Sequence, residues 1–215
     1  MIEINCAGEQ LRLLPEKAVA WPAARSLIIA DLHLGKPAAF RAAGIAVPET
    51  TTDADLERLD ALLRAHDSRR LIVLGDLLHA PEGMQQAMIS TVNQWRANRA
   101  DLEIILVPGN HDRKCGSPPV SWNMRCVDGE WQCGPFLFSH EPVERAGAYV
   151  IAGHVHPALV LREKFGPGVR AACFCFGKSR AILPAFGSFT GMSNLQPAKG
   201  DRIFAIGSEE VIEIK

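Results

Sequence analysis

Tyrosine occurs once in this 215-residue chain, and none of its six cysteines stands in a C-x-x-C pair. The missing pairs exclude a zinc ribbon and a thioredoxin-like motif. Cys6, Cys115, Cys126, Cys133, Cys173 and Cys175 therefore read as free thiols of a reducing compartment. Long apolar runs are lacking too, and nothing approaches the ~20 residues of a membrane span. The opening stretch MIEINCAGEQLRLLPEK has acidic and polar residues where a signal peptide needs a basic start and an apolar centre. A cytoplasmic protein with no membrane partner is expected. Charge of one sign is also scarce. A formal net charge of −1 gives no overall pull on a polyanion, so nucleic acid would have to be held by a local basic patch. With 47% apolar and 22% charged residues the composition is globular, and the length supports one domain spanning 1–215.

What the chain does contain is a series of short apolar runs, each ending in a polar cluster. Leu27 to Ala30, Leu71 to Leu74, Ile104 to Val107, Phe136 to Phe138 and Tyr149 to Ala152 read as strands buried on both faces. Between the first two, TTDADLERLDALLRAHD predicts a helix, with Thr52 and Asp55 at its start and Leu56, Leu59, Leu62 and Leu63 as its apolar stripe. Met84, Met88, Val92 and Trp95 mark a second helix between the next pair. This β-α-β-α-β order predicts parallel strands with functional residues at their C-terminal ends. Later runs at Ala171 to Phe176, Ala181 to Phe186, Ile203 to Ile206 and Val211 to Ile214 are joined by short turns, which predicts a second, largely antiparallel sheet facing the first. Cys173 and Cys175 should share one face of their strand. A short helix fits within Lys36 to Pro48, while Lys114 to Gly134 shows no periodicity and reads as a rim.

Candidate metal ligands follow these strands in order: Asp31 and His33, then Asp76, then Asn110, His111 and Asp112, then His140, then His154 and His156. Five of the seven histidines fall in these positions, leaving His66 and His79. One such residue alone would read as a structural hydrogen-bonding group or a turn former; five sites in succession point to a metal centre. Mixed carboxylate, imidazole and amide donors suit divalent Mn, Fe, Zn or Ni better than Ca²⁺ or Cu⁺. There are too many donors for one ion. Two ions sharing a carboxylate would stand ~3.5–4 Å apart, close enough to clamp one phosphoryl centre. On a strand edge alternate residues face one side, which would let His154 and His156 reach a common site.

The motifs DLH, GD, GNHD, a single His and GHVH, spanning Asp31 to His156, resemble those of the calcineurin-like metallophosphoesterases. The resemblance implies an α/β four-layer α-β-β-α sandwich of two facing mixed sheets. It implies that Asp31, His33 and His156 hold one metal, that Asn110, His140 and His154 hold the other, and that Asp76 bridges them. The ions would be two divalent metals, Mn²⁺ first. His111 would act as general acid or charge stabiliser at the leaving group, with Asp112 either orienting its ring or capping the following turn. The stretches SLIIADLHLGKPAAFRAAGIAVP, LIVLGDLLHA, GPFLFSHEP, GHVHPALVL, CFCFG and LPAFGSFTG resemble one bacterial subgroup. Its members are ligase-associated DNA damage response endonucleases, encoded beside a helicase, an exonuclease and an ATP-dependent ligase. DNA as substrate, and those repair proteins as partners, are what this closer resemblance implies.

The residues themselves permit that substrate without demanding it. Lys36, Arg41, Arg113, Arg162, Lys164, Lys178 and Arg180 are placed where they could meet a phosphate backbone, or else as solvated surface charges. Lys36, Arg41, His79 and Arg113 are the candidate substrate contacts, and His79 could instead hydrogen-bond a ligand. Phe40, Trp122 and Trp131 are candidate exposed aromatics for base stacking. Phe186 to Asn194 (FGSFTGMSN) is either a flap over the site or a plain hairpin connection. Two other functions share these features: a phosphomonoesterase or small-nucleotide phosphodiesterase, and an interaction module that has lost its chemistry. The intact ligand set weighs against the second.

Overall fold

The structure is a computed structural model describing residues 1–47, 51–161 and 168–214. Arg162 and Lys164 lie outside the described residues. The first sheet has seven strands in chain order: β1 (Ile2–Cys6), β2 (Glu9–Leu14), β3 (Ala18–Trp21), β4 (Ser26–Ala30), β5 (Arg70–Leu74), β6 (Glu103–Val107) and β7 (Arg125–Cys126). β1 to β4 run antiparallel, and β4 to β7 run parallel. Ala30 pairs with Leu74 and Leu74 with Val107, so the three central strands finish level. Their continuations deliver Asp31, Asp76 and Asn110 to one edge. Parallel strands need crossovers, and the helices α2 (Thr51–Ala65) and α3 (Gln86–Ala97) supply them. α1 (Lys36–Ala42) and α4 (Asn110–Cys115) are short and sit at strand ends.

The predicted apolar stripes are the ones that bury. Leu56, Leu59, Leu62 and Leu63 of α2, with Met88 and Val92 of α3, pack on Leu27, Ile29, Leu71, Val73, Ile104 and Leu106. The alternate residues Ile28, Ala30, Ile72, Leu74 and Val107 turn inward to meet Phe136, Phe138, Ile151, Phe174 and Phe204 of the second sheet. Period-2 alternation thus feeds two cores from one sheet. Asp55 does not begin the helix as the sequence pattern implied. Its carboxylate accepts hydrogen bonds from the backbone N and hydroxyl of Ser188 at 3.0 and 3.2 Å, a partner more than a hundred residues away.

The second sheet contains β8 (Trp131–Cys133), β9 (Phe136–Phe138), β10 (Tyr149–Ala152), β11 (Pro157–Leu161), β12 (Val169–Phe176), β13 (Arg180–Ile182), β14 (Ser193–Asn194), β15 (Arg202–Ile206) and β16 (Val211–Ile214). It is mixed: β9, β10 and β13 are parallel, while β11 to β12, β12 to β13 and β12 to β15 are antiparallel. The parallel trio ends at the same edge as β4 to β6, which brings His140 and His154 opposite Asp31 and Asp76. Leu183 N donates to Ala152 O, and Phe186 N to Ala30 O, so the strand after β13 crosses from one sheet to the other. This is the expected α/β two-sheet sandwich, with its helices unevenly placed. Among the described residues no helix follows Trp122. On the outer face of the second sheet, Cys173, Cys175, Ile182 and Ile203 pack with Leu159 and Leu195 from strand and loop.

Candidate metal centre

Most of the converging side chains are carried on strained backbone. Ten non-glycine residues among those described have positive φ, and five of them are Asp31, His33, Asp76, His154 and His156. A left-handed residue costs roughly 1–3 kcal/mol when it is not glycine, so the surrounding bonds must hold these loops in place. Asp31 N donates to Gly75 O, His33 N to Asp76 O, and Leu34 N to Leu77 O at 2.7–3.1 Å, knitting two loops together. This also corrects the expected basis for His154 and His156. They lie between β10 and β11 rather than on a strand, and left-handed turns, not strand alternation, aim both rings inward.

Close approach fixes two glycines of the motifs. A Cβ on Gly75 would sit 2.2 Å from His140 Nδ1, and one on Gly109 would sit 2.2 Å from Asp76 Oδ1. Each leaves room for a candidate ligand, which explains why GD and GNHD carry glycine where they do.

A group of three histidines, His33, His79 and His111, meets at the rim, and two groups carry a carboxylate: Asp31, His33 and His156 in one, and Asp76, His140 and His154 in the other. Asp76 spans both, with one oxygen 3.8 Å from His33 Nε2 and the other 3.6 Å from His140 Nε2. Asn110 Oδ1 lies 3.0 Å from His140 Nε2. Backbone carbonyls orient the rings: His140 Nδ1 donates to Leu74 O at 3.1 Å and His156 Nδ1 to Gly191 O at 3.2 Å. With Nδ1 so engaged, each ring directs its Nε2 into the site.

Several electron-pair donors therefore face one another. Nε2 of His140 meets both Asn110 Oδ1 and His154 Nδ1, the latter at 2.9 Å, and Nε2 of His33 meets Nε2 of His156 at 3.5 Å. Asp31 Oδ1 is buried with no hydrogen-bond partner, 3.4 Å from His156 Nε2. Asp31, His33, Asp76 and His140 are each at most 5% exposed, and buried carboxylates of this kind require a counter-charge. Burial, reinforced by Lys36 and the neighbouring imidazoles, lowers the pKa of His33 to about 2, so that ring stays neutral and available as a donor. The donor set fits a pair of divalent cations.

His111 occupies the rim of this cluster. Its Nδ1 donates to His79 O at 2.6 Å, and its Nε2 lies 4.0 Å from Asp76 Oδ2. Asp112 does not orient that ring. Its two oxygens accept from Leu78 N at 2.8 Å and Gly109 N at 2.9 Å, capping α4 and pinning the neighbouring loop. At the start of a helix, that carboxylate is drawn to free backbone N–H groups rather than to the adjacent side chain. The orienting role falls to the His79 carbonyl, a backbone atom no motif could flag. The His79 ring also stacks on His111 at 4.9 Å and places Nδ1 3.3 Å from His33 Nδ1. Burial, with Lys36 next, lowers its pKa to about 4.

The other candidates divide. Lys36 begins α1 beside this cluster, and Arg113 shares a cavity of about 280 Å³ with Ser139, His140 and Glu141. Arg41 Nη1 donates to Val47 O, and the cavity it lines contains none of the clustered residues. Lys178 and Arg180 sit at the start of β13, the end opposite the site, where Arg180 pairs with Glu144. Trp122 is fully buried, and Trp131 stacks on Phe138; neither is the exposed aromatic expected. Phe40 is half-buried at the mouth. The segment 186–191 packs against the site, where Gly187 N donates to Asp31 O, Gly191 O accepts from His156 Nδ1 and Phe189, a residue not singled out in the sequence, meets the Phe40 ring.

Fold and site together define a metal-dependent phosphoesterase. The chain belongs to the calcineurin-like phosphoesterase family, whose profile matches residues 24–156. It is similar to the crystal structure of the Pseudomonas putida nuclease MPE, with 41% sequence identity over 99% of each chain and a TM-score of 0.86. No curated protein matches it.

Proposed function

We propose that the protein is a two-metal phosphodiesterase, an endonuclease cutting single-stranded DNA with Mn²⁺ in a cytoplasmic repair pathway. The observation that carries this reading is the pair of donor groups joined through Asp76, with the orphaned Asp31 oxygen between them. Likeness to a nuclease along almost the whole chain supports nucleic acid as substrate. Asp31, His33 and His156 would hold one ion, Asn110, His140 and His154 the other, and Asp76 both. Divalent ions so held supply positive charge for the phosphoryl oxygens and lower the pKa of water at the site.

The chain's own residues do the rest. His111, fixed by His79 O, presents Nε2 toward the cluster and donates a proton to the departing oxygen. Asp31 and Asp76 each spend an oxygen on a backbone N–H, of His154 and His111 respectively, which holds their second oxygens in fixed positions. Lys36 and Arg113 flank the cluster and attract the strand's neighbouring phosphates. No described helix is long and apolar enough to cross a membrane, in keeping with a cytoplasmic role. The ATP-dependent ligase, helicase and exonuclease of the resembling subgroup are the proposed repair partners.

Purified protein supplied with Mn²⁺ should nick a single-stranded oligonucleotide and hydrolyse a model phosphodiester, with little action on a phosphomonoester. A clear preference for the monoester would refute the nuclease reading and favour the monoesterase.

A further inference from the structure

The rings of Phe40 and Phe189 meet edge to face at the mouth of the metal cluster, with centroids 5.4 Å apart. Both are half-buried, and neither belongs to the buried apolar clusters of the fold. Phe40 lies 6.1 Å from His79, whose ring contacts His33. A single imidazole therefore separates the aromatic pair from a candidate ligand. Lys36 Nζ stands 5.9 Å over the Phe40 ring, so a cation able to attract a phosphate adjoins the aromatic pair.

The loop carrying Phe189 is anchored more firmly than a plain connection needs. Asp55, 5% exposed, bonds Ser188 through both its backbone N and its hydroxyl. Arg58 donates to Phe186 O, packs over the Phe186 ring at 4.2 Å and pairs with Asp55 at 2.9 Å. Gly187 N donates to Asp31 O, Thr190 Oγ1 donates to Gly187 O, and Gly191 O accepts from His156 Nδ1. Three anchored residues before Phe189, Phe186, Gly187 and Ser188, and one after it, Gly191, hold the loop against α2 and the metal cluster. A single-strand preference would have a physical source here as well: bases inside a duplex are stacked on both faces, whereas an unpaired base can offer one to an aromatic side chain.

We infer that Phe40 and Phe189, with Lys36, form a subsite that stacks an unpaired nucleobase flanking the scissile phosphate. The inference rests on the nuclease reading and assigns its base contact. Asp55 and Arg58 are positioning residues that act through the loop.

The test compares wild type, Phe40→Leu and Phe189→Leu on a single-stranded oligonucleotide and on the same strand with abasic sugars on both sides of the cleavage site. Leucine retains apolar packing and removes the aromatic face, and thermal unfolding verifies that each variant folds. On the normal strand each variant should lose roughly 5- to 150-fold in kcat/KM, the range of one base–aromatic stack. Wild type should lose a similar factor on the abasic strand, and the variants' deficit should largely vanish there. Equal deficits on both strands, or none on either, would overturn the subsite while leaving the nuclease reading standing. A wild-type protein that hydrolyses a monoester and leaves both strands intact would overturn both.

Discussion

Asp76 touches both donor groups, so its loss should be felt by both. Asp76→Ala is expected to abolish measurable turnover and to reduce bound Mn²⁺, checked by activity assay and metal analysis of one preparation. His111 belongs only to the rim group with His33 and His79 and is not among the residues proposed to hold the ions; His111→Ala should lower kcat by about 10²- to 10⁴-fold with metal content unchanged. Asp112 predicts the contrary pattern. Because its carboxylate holds two backbone N–H groups and never meets the His111 ring, Asp112→Ala should cost about 1–3 kcal/mol of stability and leave the pH–rate profile in place. Denaturant unfolding and a pH series separate these outcomes. Sequence alone identified the residues that converge, because each follows an apolar run directly. It missed what orients them: His79 O and Gly191 O are backbone atoms, of which residue type gives no sign.

Parallel strands ending in register turn a linear motif series into a site, and the tight turns after them carry the strain. At Gly75, φ is +71° and a Cβ would collide with His140 Nδ1. Gly75→Ala should therefore destabilise the fold by about 1–3 kcal/mol and weaken metal retention, seen as a lower Tm and faster loss of metal to a chelator. The central strands and α2 and α3 were legible because they bury continuous runs or a clear stripe. The opening meander β1 to β3 went unassigned in the sequence. Ile2–Cys6 alternates exposed and buried positions with Glu3 and Asn5 outward, a half-buried pattern that a search for unbroken apolar runs passes over. Trp122 and Trp131 misled for a related reason: a polar, glycine-rich neighbourhood hid the cores that receive them.

Across the whole molecule, metal and stability are coupled. The facing lone pairs and the orphaned Asp31 oxygen burden the metal-free fold, so Mn²⁺ at 100 times its dissociation constant should add about 2.7 kcal/mol to unfolding, read as a rise in Tm. Acid should act in the opposite direction on chelator-treated protein. In the fold His33 and His79 resist protonation down to about 2 and about 4, whereas unfolded they titrate near 6.5. Between those limits the unfolded chain binds more protons, so stability falls as pH drops below 6.5. A metal-free Tm that stayed level from pH 7.5 to 5 would contradict this. The strand crossing from Ala152 to Ala30 has a mechanical meaning as well. Where Phe186 and Gly187 bond Ala30 and Asp31, the two sheets are welded along the rim of the catalytic cleft. Sliding one sheet over the other would tear that weld first, so the amides of Phe186 and Gly187 should be among the slowest to exchange their hydrogens with solvent.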